Sequence, residues 1–203
     1  MSKRQIVVAL VGYCALVGVS CADDSDDSDD SSRSKNDAST DTKPSQSPPQ
    51  GASAIEAWLK KGDYKDWQCE SEVHEARSPS PHGFNRICSN DSISSNTSGS
   101  DAWPSGAAAV KELYASADDD KPAGYAVYLK TKSDSANGAS WYWYERVPLD
   151  SAAPHDEDGV VADGLGSAGP AKAICVGCHV AAGSDDAHTP STGGRDQVYT
   201  PVP

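Results

Sequence analysis

The feature that most constrains this chain is Cys175-Val176-Gly177-Cys178-His179, a C-x-x-C-H run close to its C-terminus. On one short turn, two thiols at this spacing can each form a thioether to a haem vinyl group. The residue after the second thiol is then held under the ring, where its imidazole can ligate iron. The run therefore ties the chain to one covalent haem c, with Cys175 and Cys178 as attachment points and His179 as metal ligand. The competing reading is half of a zinc site. Structural zinc takes a second Cys or His pair at similar spacing, and the chain has no other C-x-x-C and no H-x-x-x-H.

An electron-transfer cytochrome c commonly pairs its proximal His with a Met on the other face of the ring. Here the single Met is Met1. The sixth position is therefore open, or filled by His74, His82, His155, His188 or a Lys. An open position favours small-ligand binding or redox chemistry at iron, and a second His favours electron transfer. The net charge of −13, from 30 Asp and Glu against 17 Lys and Arg, argues against nucleic acid or an anionic membrane as partner of the folded part.

Three segments follow from the composition along the chain. Lys3 and Arg4 precede an apolar run from Ile6 to Val19. That run is short for a membrane span and matches a secretory signal. It ends Gly18-Val19-Ser20-Cys21 before an abrupt switch to Ala22-Asp23-Asp24, the look of a bacterial lipoprotein signal (residues 1–21) with Cys21 as lipidated N-terminus. Gly18 stands where such signals usually have Leu, and an ordinary cleaved signal is the competing reading. Either way the chain is expected to be exported, and the lipid would anchor it in the cell envelope, at the periplasm or outer membrane. Residues 22–50 hold eight Asp, eight Ser and three Pro with no aromatic or branched aliphatic residue. Such a segment cannot offset its chain entropy by burial and reads as a solvated acidic tether.

The folded domain is expected over 51–203. Ser53-Ala54-Ile55-Glu56 reads as a capping box, with Ile55, Trp58 and Leu59 on one helical face and Gly62 as the stop. Cys69 and Cys88 are left once the signal, the lipid and the haem have claimed the other cysteines, and in an exported chain such a pair is most simply a disulfide. Phe84 to Cys88 reads as a strand and Ser92 to Gly99 as a polar loop. Ala107 to Tyr114 is ambiguous between helix and strand because of its three alanines. Tyr125 to Lys130 and Trp141 to Tyr144 are β-rich runs, and Asn137-Gly138 between them suggests a long hairpin. Gly159 to Gly169 reads as loose, and Ala171 to Cys175 as a short helix presenting the C-x-x-C-H run.

Several pieces now fall in a recognisable order: Trp103-Pro104-x-Gly106-x-x-x-Val110-Lys111-Glu112, Gly124-Tyr125, the Trp141 to Tyr144 run, Cys175-x-x-Cys178-His179, and Asp196-x-Val198-Tyr199-Thr200. From about Trp67 to Thr200 the ordered set resembles the cytochrome P-460 and cytochrome c′-beta family. The resemblance implies a mainly β (α+β) fold, an antiparallel sheet with a few flanking helices and a C-terminal haem-attachment helix, and it makes the ambiguous octet a strand. It also implies one c-type haem with His179 as proximal ligand and an apolar distal face open to small nitrogen compounds. In the cytochrome P-460 branch the lysine of the V-K-E segment is joined covalently to the haem edge, and the matching residue is Lys111. On a strand it points away from Val110 and Glu112, although an exposed Lys on a polar face fits the same alternation.

The catalytic branch further implies a distal carboxylate. The strand after Tyr125 offers Lys130 and Lys132, and Asp134 is the first acid reached, so Asp134 is the candidate base. Arg86 is a candidate charge near the haem or its propionates, the plainer alternative being a surface ion pair. His82, in Pro81-His82-Gly83, is a candidate distal group or a loop brace. The cysteine pair lies outside the family pattern. The expectation is a tethered mono-haem cytochrome that binds or oxidises hydroxylamine or nitric oxide and exchanges electrons with a soluble partner, with a homodimer left open. The alternatives are a six-coordinate electron carrier and a haem-free lipoprotein whose C-x-x-C-H holds another metal or a disulfide.

Overall fold

The computed structural model describes residues 47–77, 80–99, 101–184 and 194–202. The expected signal, Cys21, most of the acidic segment, and His188 lie outside the described residues. Among the described residues no helix is long and apolar enough to cross a membrane.

A helix, α1 (Ala52–Lys61), opens the fold. It is followed by β1 (Gln68–Cys69), β2 (His74–Glu75), β3 (Phe84–Ser89), the single turn α2 (Asp91–Ser94), β4 (Ala108–Tyr114), β5 (Gly124–Lys130), β6 (Trp141–Arg146) and β7 (Val160–Leu165). The strands make one antiparallel sheet in the order β1-β3-β4-β5-β6-β7, with β2 also paired to β3. A π-helical turn, Ala171–Val176, then runs into a short helix α3, Gly177–His179.

Side chains alternate across a pleated sheet, and here both faces are buried. On one face Val110, Val127, Leu129, Tyr142 and Tyr144 pack against Ile55, Trp58 and Leu59 of α1 and against Tyr64 and Trp67. Burying Ile55 and Leu59 is worth about 1.5–3 kcal/mol each. On the other face Ile87, Ala109, Trp141, Trp143 and Ala162 form a second core with Trp103, Cys175, Val176 and Val198. A strand covered on both sides needs no polar alternation, which is why Ala108 to Tyr114 forms β4 despite its alanines. The C-terminal helical segment closes onto this second face through two glycines. A Cβ on Gly166 would collide with the Gly138 carbonyl oxygen and sit 2.6 Å from Val176 Cγ2.

Three local expectations change. The N-cap of α1 is Gly51 (φ 93°) with no side-chain cap of its own, and Ser53 lies exposed inside the helix. The orphan N–H groups there are met from across the fold: Ala52 N–H donates to Asp163 Oδ2 (2.8 Å) and Gly51 N–H to the Tyr142 hydroxyl (2.8 Å). Glu56, expected in the capping box, instead accepts from Arg146 Nε (2.7 Å) and the Tyr144 hydroxyl. The expected hairpin does form: β5 and β6 pair antiparallel, and Asn137-Gly138 joins them within a 3-10 turn, Ala136–Gly138. The segment 159–169 holds strand β7, whose Val161 and Ala162 are buried. The polar loop after β3 includes the turn α2, which buries Ile93.

Candidate functional site

Two adjacent rows across the sheet build a cavity on the second face. Strand register aligns Ile87, Lys111, Ala126 and Glu145 in one row and Ser89, Ala109, Tyr128 and Trp143 in the next. The alanines in the middle of each row leave space above the sheet. The loop carrying Ser80 to His82 walls one side, and Ile174, Cys175, Cys178, His179, Tyr199 and Thr200 wall the other. The non-atom space between these walls is about 990 Å³, open solvent at the mouth included. Cys175, Cys178, His179 and Lys111 are thus brought together, with His82.

His179 is held in a defined state. Its Nδ1 lies 2.6 Å from the Gln197 carbonyl oxygen, so Nδ1 carries the proton and donates, and Nε2 keeps its lone pair for a ligand. The ring packs edge-on to Trp143 (4.6 Å between centroids) and Tyr199 (5.3 Å). Burial, helped by the Lys111 charge and opposed by the Gln197 bond, pulls the imidazole down to about 4. Both thiols of the run are free; Cys175 is buried and Cys178 exposed. Burial and then Glu145 push the Cys175 thiol up to about 12.

Lys111 projects into the cavity while Val110 and Glu112 face α1, as strand alternation requires. Burial lowers its amine to about 8, with Glu70 and Glu145 pulling it back up. Glu145 is 8 % exposed, and burial raises its carboxyl above the usual range, Lys111 acting against that. His82 Nε2 stands 3.5 Å from Glu145 Oε1, and its Nδ1 is buried without a hydrogen-bond partner. Burial first, then Lys111 and His179, lower His82 to about 3, so its imidazole is neutral.

Other expected residues lie elsewhere. Asp134 is exposed on the turn after β5, where its Oδ1 accepts the Ala136 N–H (2.9 Å), and it does not line the cavity. The buried carboxylate that does is Glu145. Arg86 is on the α1 face, bonded to Glu112 through Nε (2.8 Å) and Nη2 (2.7 Å). Glu112 also accepts the hydroxyls of Tyr64 (2.5 Å) and Tyr114 (2.8 Å), so this half of the V-K-E segment is structural. His74 is engaged by Glu70 and the Glu75 carbonyl, and His155 lies on the exposed loop before β7, bonded to the Asp156 carbonyl. Cys69 and Cys88 form a disulfide in register across β1 and β3.

As a donor set the cavity suits a flat apolar cofactor attached by thioethers. Apart from Asn85, Lys111 and Glu145 its strand walls are largely apolar, and it has two free thiols on one helical segment and a neutral imidazole with its outer nitrogen free. Among the described residues no group of three or more His, Cys, Asp or Glu side chains is placed to hold a metal ion. Compared with models of known families, with curated proteins and with solved structures, the chain matches none.

Proposed function

We propose that this chain is an exported mono-haem c-type cytochrome of the cytochrome P-460 type, which binds or oxidises a small nitrogen species, hydroxylamine or nitric oxide. In this reading Cys175 and Cys178 carry the haem and His179 ligates its iron through Nε2. One observation carries the proposal. A C-x-x-C-H run with both thiols free and Nδ1 of its histidine committed to a carbonyl opens onto the same cavity as Lys111, Glu145 and His82.

The haem would supply a redox-active iron with a coordination position for the nitrogen ligand. The chain's own residues do the rest. Ile87, Ala109 and Ala126 exclude water from the wall. Glu145, its carboxyl raised by burial, is placed to take a proton from a substrate N–H or O–H, with the neutral His82 beside it at 3.5 Å. Lys111 presents an amine that is partly neutral near its lowered pKa, the form the cross-link implied by the resemblance requires. Cys21 would hold the protein at the envelope by its lipid, and the acidic segment would let the domain reach a soluble electron-transfer partner.

A second reading is a six-coordinate electron-transfer cytochrome c of the cell envelope. It is favoured by one observation: His82 lines the same cavity as His179, whereas His74 and His155 do not. Absorption spectra of the ferric and reduced protein, with carbon monoxide added to the latter, separate the two. An open iron predicts prompt carbon monoxide binding, and a red-shifted reduced Soret band that Lys111→Arg abolishes would add the cross-link. A low-spin spectrum that resists carbon monoxide would overturn the open-site proposal, and its loss in His82→Gln would establish the second reading.

A further inference from the structure

The cavity is backed by a device that the proposed chemistry does not use directly. Lys130 is fully buried, yet it does not line the cavity. Its Nζ lies 2.6 Å from Asp196 Oδ2, and the same oxygen accepts the Trp103 N–H at 2.9 Å. A buried ion pair is often no more stabilising than apolar side chains of similar volume, so stability alone gives little reason for this one. Asp196 and Gln197 also sit at φ 44° and 72°, a left-handed conformation that non-glycine residues adopt at a cost and that surrounding structure has to enforce.

The surroundings do enforce it. Arg195 and Val198 exchange two backbone hydrogen bonds (2.9 and 2.8 Å) across the turn. Arg195 stacks on Trp103 at 3.5 Å and donates to the carbonyls of Asp101 and Asn96 at 2.6 Å each. Trp103 Nε1–H returns a bond to the Arg195 carbonyl (3.1 Å), and Val198 is fully buried. At the tip of this turn the Gln197 carbonyl meets His179 Nδ1.

We infer that the Lys130–Asp196 ion pair is a positioning device for His179, fixing the 195–198 turn so that the Gln197 carbonyl selects the tautomer and orientation of the imidazole. An acceptor on Nδ1–H raises the basicity of Nε2 and stops the ring from turning. Lys130 and Asp196 are positioning residues, acting through the turn and touching neither the imidazole nor a ligand. The consequence at iron rests on the haem reading; the tautomer does not.

The test is the imidazole Nδ1–H resonance of His179 in the 15N-labelled full-length chain, recorded both from a host without haem-attachment machinery and, where haem is attached, in the reduced carbon monoxide form. The wild type is expected to show a resolved, slowly exchanging resonance. Asp196→Asn keeps the acceptor for Trp103 and removes only the charge; it should make the proton exchange about tenfold faster while the amides of β5 and β6 stay protected. Lys130→Met combined with Asp196→Asn removes both charges while keeping an acceptor for the Trp103 N–H and a residue that tolerates the left-handed backbone. It should keep the thermal stability of the wild type and still leave the proton unprotected, a split that a merely structural pair would not produce. Protection unchanged in Asp196→Asn, or restored with stability in the double variant, overturns the inference. Because the haem-free chain reports the tautomer by itself, a failure of the haem reading is distinguishable from a failure of this one.

Discussion

Lys111 and Glu145 face one cavity from strands two apart, and both are in register with Ala126, so only an alanine stands between them in the row. Each tempers the other: the carboxylate raises the lysine pKa against burial, and the ammonium lowers that of the carboxyl. Glu145→Gln should therefore drop Lys111 below about 8 and raise the neutral fraction of its amine at pH 7. In the haem-free chain, acylation of Lys111 followed by peptide mass spectrometry should run faster in the variant than in the wild type. An equal or slower rate would mean the two groups are not coupled.

His82 gives a pH signature with a definite sign. Its folded pKa of about 3 lies below the ordinary imidazole value of 6.5, so below pH 6.5 the unfolded chain binds a proton that the folded chain does not. The His82 contribution is intact above pH 6.5 and is lost as pH falls towards 3, by at most about 1.4 kcal/mol per pH unit. Urea unfolding of the wild type and His82→Gln at a series of pH values should show a gap that narrows or reverses in acid. A gap constant from pH 7 to 4 would show that His82 is not buried in its neutral form.

Glu112 and Arg86 belong to stability rather than to the cavity. Removing Glu112 leaves Arg86 unpaired and the hydroxyls of Tyr64 and Tyr114 without their acceptor. Glu112→Ala should cost about 3–5 kcal/mol, as breaking a buried network does. Arg86→Met should lower stability and leave carbon monoxide affinity of the haem protein unchanged. A change in that affinity without loss of stability would return Arg86 to the functional site.

The bond between Cys69 and Cys88 closes a loop with a sequence separation of 19, and it ties down β1, the outermost strand on that edge. Substituting both partners, Cys69→Ser together with Cys88→Ala, should lower unfolding free energy by about 3 kcal/mol on loop-entropy grounds. Denaturant unfolding with and without reductant measures it. The wild type in reductant should fall to the level of the double variant, and equal stability throughout would show that the bond does not constrain the unfolded chain.

What could be read from the residues was what local pattern controls. The C-x-x-C-H run, the stop at Gly62, the strands β3, β5 and β6 and the Cys69–Cys88 pair each carry their signal within a few residues or in simple elimination. Glu145 was legible too: Trp141, Trp143 and Glu145 share one face by the period of two, and carrying that alternation past Tyr144 leads to it. Asp134 was reached by following the chain to the next acid, but β5 ends first and the turn carries it away from the sheet. Ser53 gave way to Gly51 because the α1 N–H groups are met by Asp163 and Tyr142 from β7 and β6, partners no local pattern contains. The Lys130–Asp196 clamp was hidden for the same reason: its parts are 66 residues apart in sequence.

The central claim is that Cys175 and Cys178 hold a haem. The most direct measurement is the intact mass of the denatured, purified chain, produced in a host that attaches c-type haem, together with thiol alkylation and a haem stain of the denatured band. The account predicts a mass raised by one haem, a positive stain, and Cys175 and Cys178 both refractory to alkylation. An unmodified polypeptide mass with both thiols alkylated and no stain would contradict it.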